Sequence, residues 1–362
     1  MNDVSVMVVE DSPVARELIT NTVNADPRLR VVCAVDTAEK ALRLLPGIAP
    51  DVISMDIRLP GMNGIEATRQ IMERCPTPIV VVAADCRNDT VKVSMEALRA
   101  GALTVVEKPS IESAESYGAM SRRLCDQFVN MSKVRVVRQR FNGTRPHSTE
   151  RRRQTAKQPV RARPVMDSPD SAIEVIGVVA STGGPAAIAR LLQGLSPAFP
   201  VPILVVQHMA GNFLEGYAAW LDSVCGLEVG LARDTEKAVP ARVYVAPGEC
   251  DLIYRAGRIR LITSQRSAGH SPSGDALFGS LADLGPRAIG ILLTGMGDDG
   301  ARGLLEMHNS GARTLAQDKE SSAVYGMPAA ACALGAVNEQ LPICSIAGRL
   351  THLVAAEARA AR

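Results

Sequence analysis

The chain has 362 residues, of which 46% are hydrophobic and 22% charged, with a formal net charge of +2. That length exceeds one ordinary core and points to two domains. One Trp and five Phe exclude the stacking surface of a dedicated single-strand nucleic-acid binder. No apolar run approaches the roughly 18–20 residues of a membrane span. The eight cysteines (Cys33, Cys75, Cys86, Cys125, Cys225, Cys250, Cys332 and Cys344) show no C-x-x-C pair and no Cys/His ligand spacing, so buried free thiols are expected.

The opening MNDVSVMVVEDS is acidic and lacks the profile of a signal peptide, so a cytoplasmic protein is expected. From residue 4 apolar runs alternate with amphipathic stretches. VSVMVV leads to a helix from Pro13, RVVCAV to a helix from Thr37, DVISMD to a helix near Asn63, and PIVVVAA to a helix near Asp89. TVVEKP closes the series. Runs of that length between helical patterns predict an α/β domain over residues 1–122, a doubly wound (βα)5 parallel sheet covered on both faces.

The carboxyl ends of parallel strands share one edge, where functional sites gather. Glu10 and Asp11 end the first strand, Asp56 ends the third, and Lys108 follows the fifth. Three carboxylates meeting there repel one another unless a divalent cation joins them, and hard oxygen donors of this kind suit Mg²⁺. Lys108 is placed to pair with a carboxylate or a phosphate. An acidic pair, an aspartate within MDIRLPGMNGIEA and a lysine before proline resemble the response-regulator receiver family over nearly all of residues 1–122. The resemblance implies that Asp56 accepts a phosphoryl group from a histidine kinase while Glu10, Asp11 and Asp56 hold Mg²⁺. Two departures bear on signalling. Ala83 stands where receivers usually carry a Ser or Thr hydroxyl, and Val105 stands at the usually bulky switch position.

Between about 123 and 172 the rhythm collapses. KVRVVRQRFNGTRPHSTERRRQTAKQPVRARP carries eleven Lys/Arg and one acid, the composition of a solvated basic linker, helical at most in its first turns. Such a run could also meet nucleic acid or an anionic surface.

From residue 173 strands and helices resume and continue to residue 362. EVIGVVA, PILVVQH, RVYVAPG, IRLIT, AIGILLTG and ARTLAQD predict a second, Rossmann-like α/β domain with a mostly parallel sheet. A turn at Arg255–Gly257 predicts an antiparallel hairpin attached to it. VVASTGGPAAI reads as a strand–turn–helix junction, yet it lacks G-x-G-x-x-G, the Walker pattern and G-x-S-x-G, since Val179 stands at the first glycine of the last. Two other strand ends supply partners for its serine, His208 in PILVVQHM and either Asp298 or Asp299 in LLTGMGDDG. If the three strands are parallel, these groups meet Ser181 on one edge, as nucleophile, base and orienting acid require. Turn glycines around Met296 would leave backbone N–H groups for an oxyanion. His270 in GHSPSGDALF is the rival histidine.

ASTGGP, QHM, VYVAPG, HSPSGDALF, LLTGMGDDG and AQDKESSAVYGMPAAA, in that order behind a receiver, resemble the catalytic domain of chemotaxis protein-glutamate methylesterases. The match covers the chain except its linker. It implies Ser181 as nucleophile, His208 as base and acid, Asp299 rather than Asp298 as its partner, the Met296 N–H as oxyanion donor, Thr182 beside the histidine, and no cofactor for the esterase chemistry. It further implies hydrolysis of glutamate methyl esters on methyl-accepting chemoreceptors, deamidation of receptor glutamines, and a cytoplasmic place at chemoreceptor arrays. Ala210, Ser271 and Gly274 depart from the family's usual residues. A phosphorylation-dependent scaffold without activity is the alternative. DNA binding is not expected, because no helix-turn-helix segment follows the linker.

Overall fold

The structure, a computed structural model, describes residues 3–83, 96–108, 114–134, 136, 172–209, 211–263 and 271–360. The expected helix near Asp89, most of the basic linker, Cys86, Ala210 and His270 lie outside the described residues.

The first sheet is all parallel in the order β2-β1-β3-β4-β5, built from β1 (Val4–Val9), β2 (Leu29–Val35), β3 (Val52–Met55), β4 (Ile79–Ala83) and β5 (Thr104–Glu107). Alternation along β1 divides the core. Met7 and Val9 face α2 (Ala38–Ile48) and α3 (Gly64–Arg74), while Val6 and Val8 face α1 (Pro13–Asn24) and α4 (Ala114–Met131). The helices begin where a side-chain oxygen can cap them. Ser12 accepts from the Ala15 N–H, Thr37 from Lys40 and Asn63 from Glu66, the interaction that favours these residue types at helix starts.

Helix α4 runs past residue 122, where the basic stretch was expected to begin. Its Leu124, Cys125, Phe128 and Met131 are buried in one cluster with Val80, Val82 and Val106, and Val134 beyond the helix is buried there too, so the helix and the residues just after it belong to this core. Lys and Arg at the start of the basic stretch hid an apolar stripe of helical period.

The second sheet has seven strands in the order β14-β13-β12-β6-β7-β9-β8, every described pairing parallel. They are β6 (Val175–Ala180), β7 (Ile203–Gln207), β8 (Glu228–Leu231), β9 (Arg242–Val245), β12 (Ala288–Leu292), β13 (Arg313–Gln317) and β14 (Glu339–Leu341). On one face lie α5 (Gly184–Gln193), α6 (Gly211–Val224) and α10 (Ile343–Ala360); on the other, α7 (Gly274–Ala282), α8 (Ala301–Asn309) and α9 (Met327–Ala333). The expected hairpin exists as β10 (Cys250–Arg255) and β11 (Arg258–Thr263), but it forms a two-stranded sheet of its own. Leu252, Tyr254 and Ile259 seat it among Leu277 and Leu281 of α7. The seven described cysteines are free thiols, and of these Cys125 alone is fully buried.

Candidate active site and phosphorylation site

At the edge of the first sheet, ligand oxygens of Glu10, Asp11 and Asp56 lie within 4.8 Å of one another. Glu10 and Asp56 are buried and Asp11 is exposed. Lys108 Nζ bridges Glu10 Oε2 at 2.7 Å and Asp56 Oδ2 at 3.0 Å. Burial pushes the Glu10 carboxyl above its ordinary value and the Asp56 charge adds to this, with Lys108 offsetting part of the rise. Burial works against the Lys108 ammonium, yet the two carboxylates hold its pKa above the ordinary lysine value. The backbone fits closely here. A Cβ at Gly64 would fall 2.0 Å from the Asp56 carbonyl oxygen, so α3 can approach Asp56 only with glycine at that position.

At the second sheet, β6 lies between β12 and β7 and all three run parallel. Their carboxyl ends bring Ser181, His208 and Asp299 to one edge. His208 Nε2 and Asp299 Oδ2 are 2.8 Å apart, with both side chains nearly enclosed. Asp298 stays exposed and its carbonyl begins the turn into α8 through Ala301, so Asp299 is the member of the pair that meets the histidine. Ser181 and His208 line one cavity of about 620 Å³, together with Thr182 and Met209.

Asp299 accepts four hydrogen bonds. Its Oδ2 takes His208 and the Gly274 N–H at 2.6 Å, and its Oδ1 takes the Ser273 hydroxyl and the Asp275 N–H, each at 3.1 Å. Burial raises its pKa, but His208 and the two backbone donors prevail and lower it from 3.8 to about 2. Asp299 is therefore a carboxylate throughout the neutral range.

Ser181 is fixed through its backbone. Its N–H donates to the Thr294 carbonyl at 3.0 Å, and its own carbonyl accepts from Gly184 N–H and from Gln207 Nε2, each at 2.8 Å. Gln207 also donates to the His208 carbonyl at 3.0 Å, tying nucleophile and histidine backbones together. Thr294 Oγ1 donates to the Thr182 carbonyl at 2.9 Å. Met296 is 44% exposed, and among the described residues no hydrogen bond takes up its backbone N–H. Gln207, Thr294, Ser273 and Asp251 are supporting residues that the sequence reading passed over. Gln207 was visible as a polar residue ending an apolar run, and Ser273 as a helix-start residue; nothing local marked the other two.

The cavity has a second wall. Leu103, Val105 and Glu107 on β5 and its approach, with Met120 and Arg123 of α4, line the same cavity as Ser181 and His208. The sheet edge that would catalyse therefore faces the β5–α4 side of the first domain.

Similarity to known proteins follows the same division. The family model described as CheB methylesterase matches residues 176–350, and that described as response regulator receiver domain matches residues 6–115. A protein-glutamate methylesterase/protein-glutamine glutaminase of Paramagnetospirillum magneticum is 45% identical over 351 residues, covering 97% of each chain. One from Myxococcus xanthus is 41% identical over 96% of each. Among solved structures, the CheB methylesterase catalytic domain of Thermotoga maritima is 34% identical, covering 51% of this chain and 100% of its own with a TM-score of 0.48.

Proposed function

Because the chain belongs to the CheB methylesterase family and carries a receiver domain ahead of the esterase domain, we propose that it hydrolyses glutamate methyl esters on methyl-accepting chemoreceptors. The same acyl chemistry converts receptor glutamines to glutamates, and phosphorylation of the receiver controls both. The observation that carries this reading is the Asp299–His208 pair at 2.8 Å beside the cavity that Ser181 lines.

Ser181 attacks the ester carbonyl. Since Nε2 of His208 is engaged by Asp299, Nδ1 takes the serine proton, and the imidazolium that forms is stabilised by the fully ionised Asp299. The Met296 N–H meets the oxyanion. His208 then gives its proton to the departing methanol oxygen, leaving an acyl-enzyme on Ser181. Water deprotonated by His208 breaks that ester and releases glutamate. For a glutamine the leaving group is ammonia. Thr182, on the same turn as Ser181, helps form the pocket beside the histidine. This chemistry needs no cofactor, and residues 173–362 are the proposed catalytic unit.

In the receiver, Asp56 accepts the phosphoryl group of a chemotaxis histidine kinase. Glu10, Asp11 and Asp56 fit a hard divalent cation such as Mg²⁺, since their ligand oxygens lie within 4.8 Å of one another and hard oxygen donors of this kind suit it. When bound there, Mg²⁺ supplies charge neutralisation for the carboxylates and the phosphoryl oxygens. Lys108 holds Asp56 from the other side. With β5 and α4 forming a wall of the esterase cavity, the unphosphorylated receiver obstructs access, and phosphorylation shifts the population toward an open arrangement. A cytoplasmic place at chemoreceptor arrays follows from this substrate; among the described residues no helix is long and apolar enough to cross a membrane.

The test is methanol release from methylated receptor membranes, comparing wild type with Ser181→Ala, each with and without a small-molecule phosphodonor and Mg²⁺. Release that disappears in Ser181→Ala and rises with phosphodonor in wild type is expected. Release indifferent to the phosphodonor retains the esterase and rejects the switch. No release by wild type under any condition rejects the esterase in favour of a scaffold.

A further inference from the structure

We propose that Ser273 is a positioning residue for Asp299, and that Asp251 holds Ser273 in place. The inference rests on the esterase reading of Ser181, His208 and Asp299. It is carried by how the start of α7 meets the carboxylate.

A helix leaves its first N–H groups without partners inside the helix. In α7 two of them, on Gly274 and Asp275, donate to Asp299 from a different part of the chain. The Ser273 hydroxyl oxygen accepts from the Ala276 N–H at 3.3 Å, which is its capping role. That leaves the hydroxyl proton for the acceptor-only Asp299 Oδ1 at 3.1 Å. Ser273 is buried, and its own N–H donates to the buried carboxylate of Asp251 at 2.9 Å. One serine thus caps α7, donates to Asp299 and is anchored at its backbone.

The consequence is directional. With Oδ1 held by Ser273 and Asp275, the carboxylate cannot rotate about its axis, and Oδ2 stays aimed at His208 Nε2. Without the Ser273 hydroxyl the carboxylate loses a donor, binds a proton more readily and wavers in orientation. Ionisable groups on the packed elements are His208 after β7, Asp275 on α7 and Asp251 on β10. Asp275 is itself engaged, its Oδ1 accepting from the Gly303 N–H of α8 at 2.9 Å.

Three variants of the full chain separate positioning from capping. Ser273→Thr keeps both functions and should behave as wild type. Ser273→Asp keeps an oxygen for the Ala276 N–H but has no proton to give and sets a second carboxylate against Asp299. Ser273→Ala loses both. In methanol release, Ala and Asp should each lower kcat by about ten- to hundredfold, the scale of a misplaced catalytic group, with KM within about twofold. Both should move the acid limb of the rate profile to higher pH. The low-field proton resonance of the His208 Nε2–H should shift in Ala and Asp and stay in Thr. That resonance can be read without turnover, so a wild type that releases no methanol rejects the esterase reading while the positioning claim is still decided. Ser273→Asp with wild-type kcat and an unmoved resonance overturns the proposal. So does activity lost in Ala with neither the pH limb nor the resonance displaced, because that is the outcome of a cap alone.

Discussion

A carboxylate that accepts four hydrogen bonds is specified as an anion, and an amide cannot replace it. In Asp299→Asn the side-chain NH₂ faces either the imidazole or the donors at the start of α7, and one of these contacts becomes donor against donor. Methanol release should fall on the order of 10³–10⁴-fold with the fold intact, as when a triad acid becomes an amide. The same group links stability to pH. Its folded pKa of about 2 lies below the ordinary 3.8, so its contribution is fully present above pH 4 and is lost as pH falls through 2. That contribution is roughly 2 kcal/mol. Acid denaturation of wild type and Asp299→Asn, followed by circular dichroism, should show this steepness between pH 4 and 2 in wild type and its reduction in the variant. Gly274 has a steric reason to lack a side chain, because a Cβ there would lie 2.5 Å from Val179 Cγ1. Gly274→Val should cost about 1–3 kcal/mol in denaturant unfolding through overpacking. Adding Val179→Ala to that chain removes the obstructing methyl and should recover only part of the loss, because the Cβ also meets Asp299 Oδ2 and the Gly300 Cα at 3.2 Å.

Among the elements, the ends of β6, β7 and β12 do the placing, and Gln207 ties the first two together. Its Nε2 donates to the carbonyls of both Ser181 and His208. Gln207→Leu leaves these carbonyls without that donor, a loss of about 1–3 kcal/mol. Urea unfolding should register it, and kcat should fall more than KM rises because strand separation changes geometry before binding. These three strands were legible in the sequence because each is a fully buried apolar run ending at a polar residue or a glycine turn. The Ser181, His208 and Asp299 positions followed from their parallel order, with family resemblance choosing Asp299 over Asp298. Short strands were not legible: β8 and β14 lie at the sheet's two ends, and their three or four residues give no period to read. Helix α4 was cut short because its charged residues merge with the basic stretch that follows. Hairpin β10–β11 was recognised from its turn; that it pairs only with itself was not readable, since pairing partners are a tertiary choice. The seat of Asp299 was unreadable for the same reason, its donors standing some 25 residues earlier in the chain.

Across the whole molecule, the proposed phosphorylation of Asp56 has to be felt at a cavity that residues of both domains line. Lys108 contacts Asp56 and follows β5, and β5 forms part of the cavity wall. In most receivers a hydroxyl at the end of β4 supplies a second contact to the phosphoryl group, and here that place is Ala83. Ala83 is buried, pairs in register with Glu107 and accepts the Lys108 N–H at 2.8 Å, so its backbone is well placed but its methyl offers nothing to an anion. On the proposed reading the signal would pass through Lys108 and the β4–β5 backbone, with Val105 as the half-buried side chain at the cavity. Ala83→Thr restores the missing donor on the same backbone. A hydrogen bond to a charged group contributes about 1.5–3 kcal/mol. The phosphorylated state alone would gain it, so stimulation by phosphodonor and Mg²⁺ should rise by roughly tenfold while basal release is unchanged. Asp56→Asn in the same background should abolish the stimulation, which ties the gain to the phosphoryl group. Equal stimulation in Ala83→Thr and wild type, with phosphorylation of both verified by radiolabel, would mean that this receiver signals fully through Lys108 and needs no hydroxyl at β4.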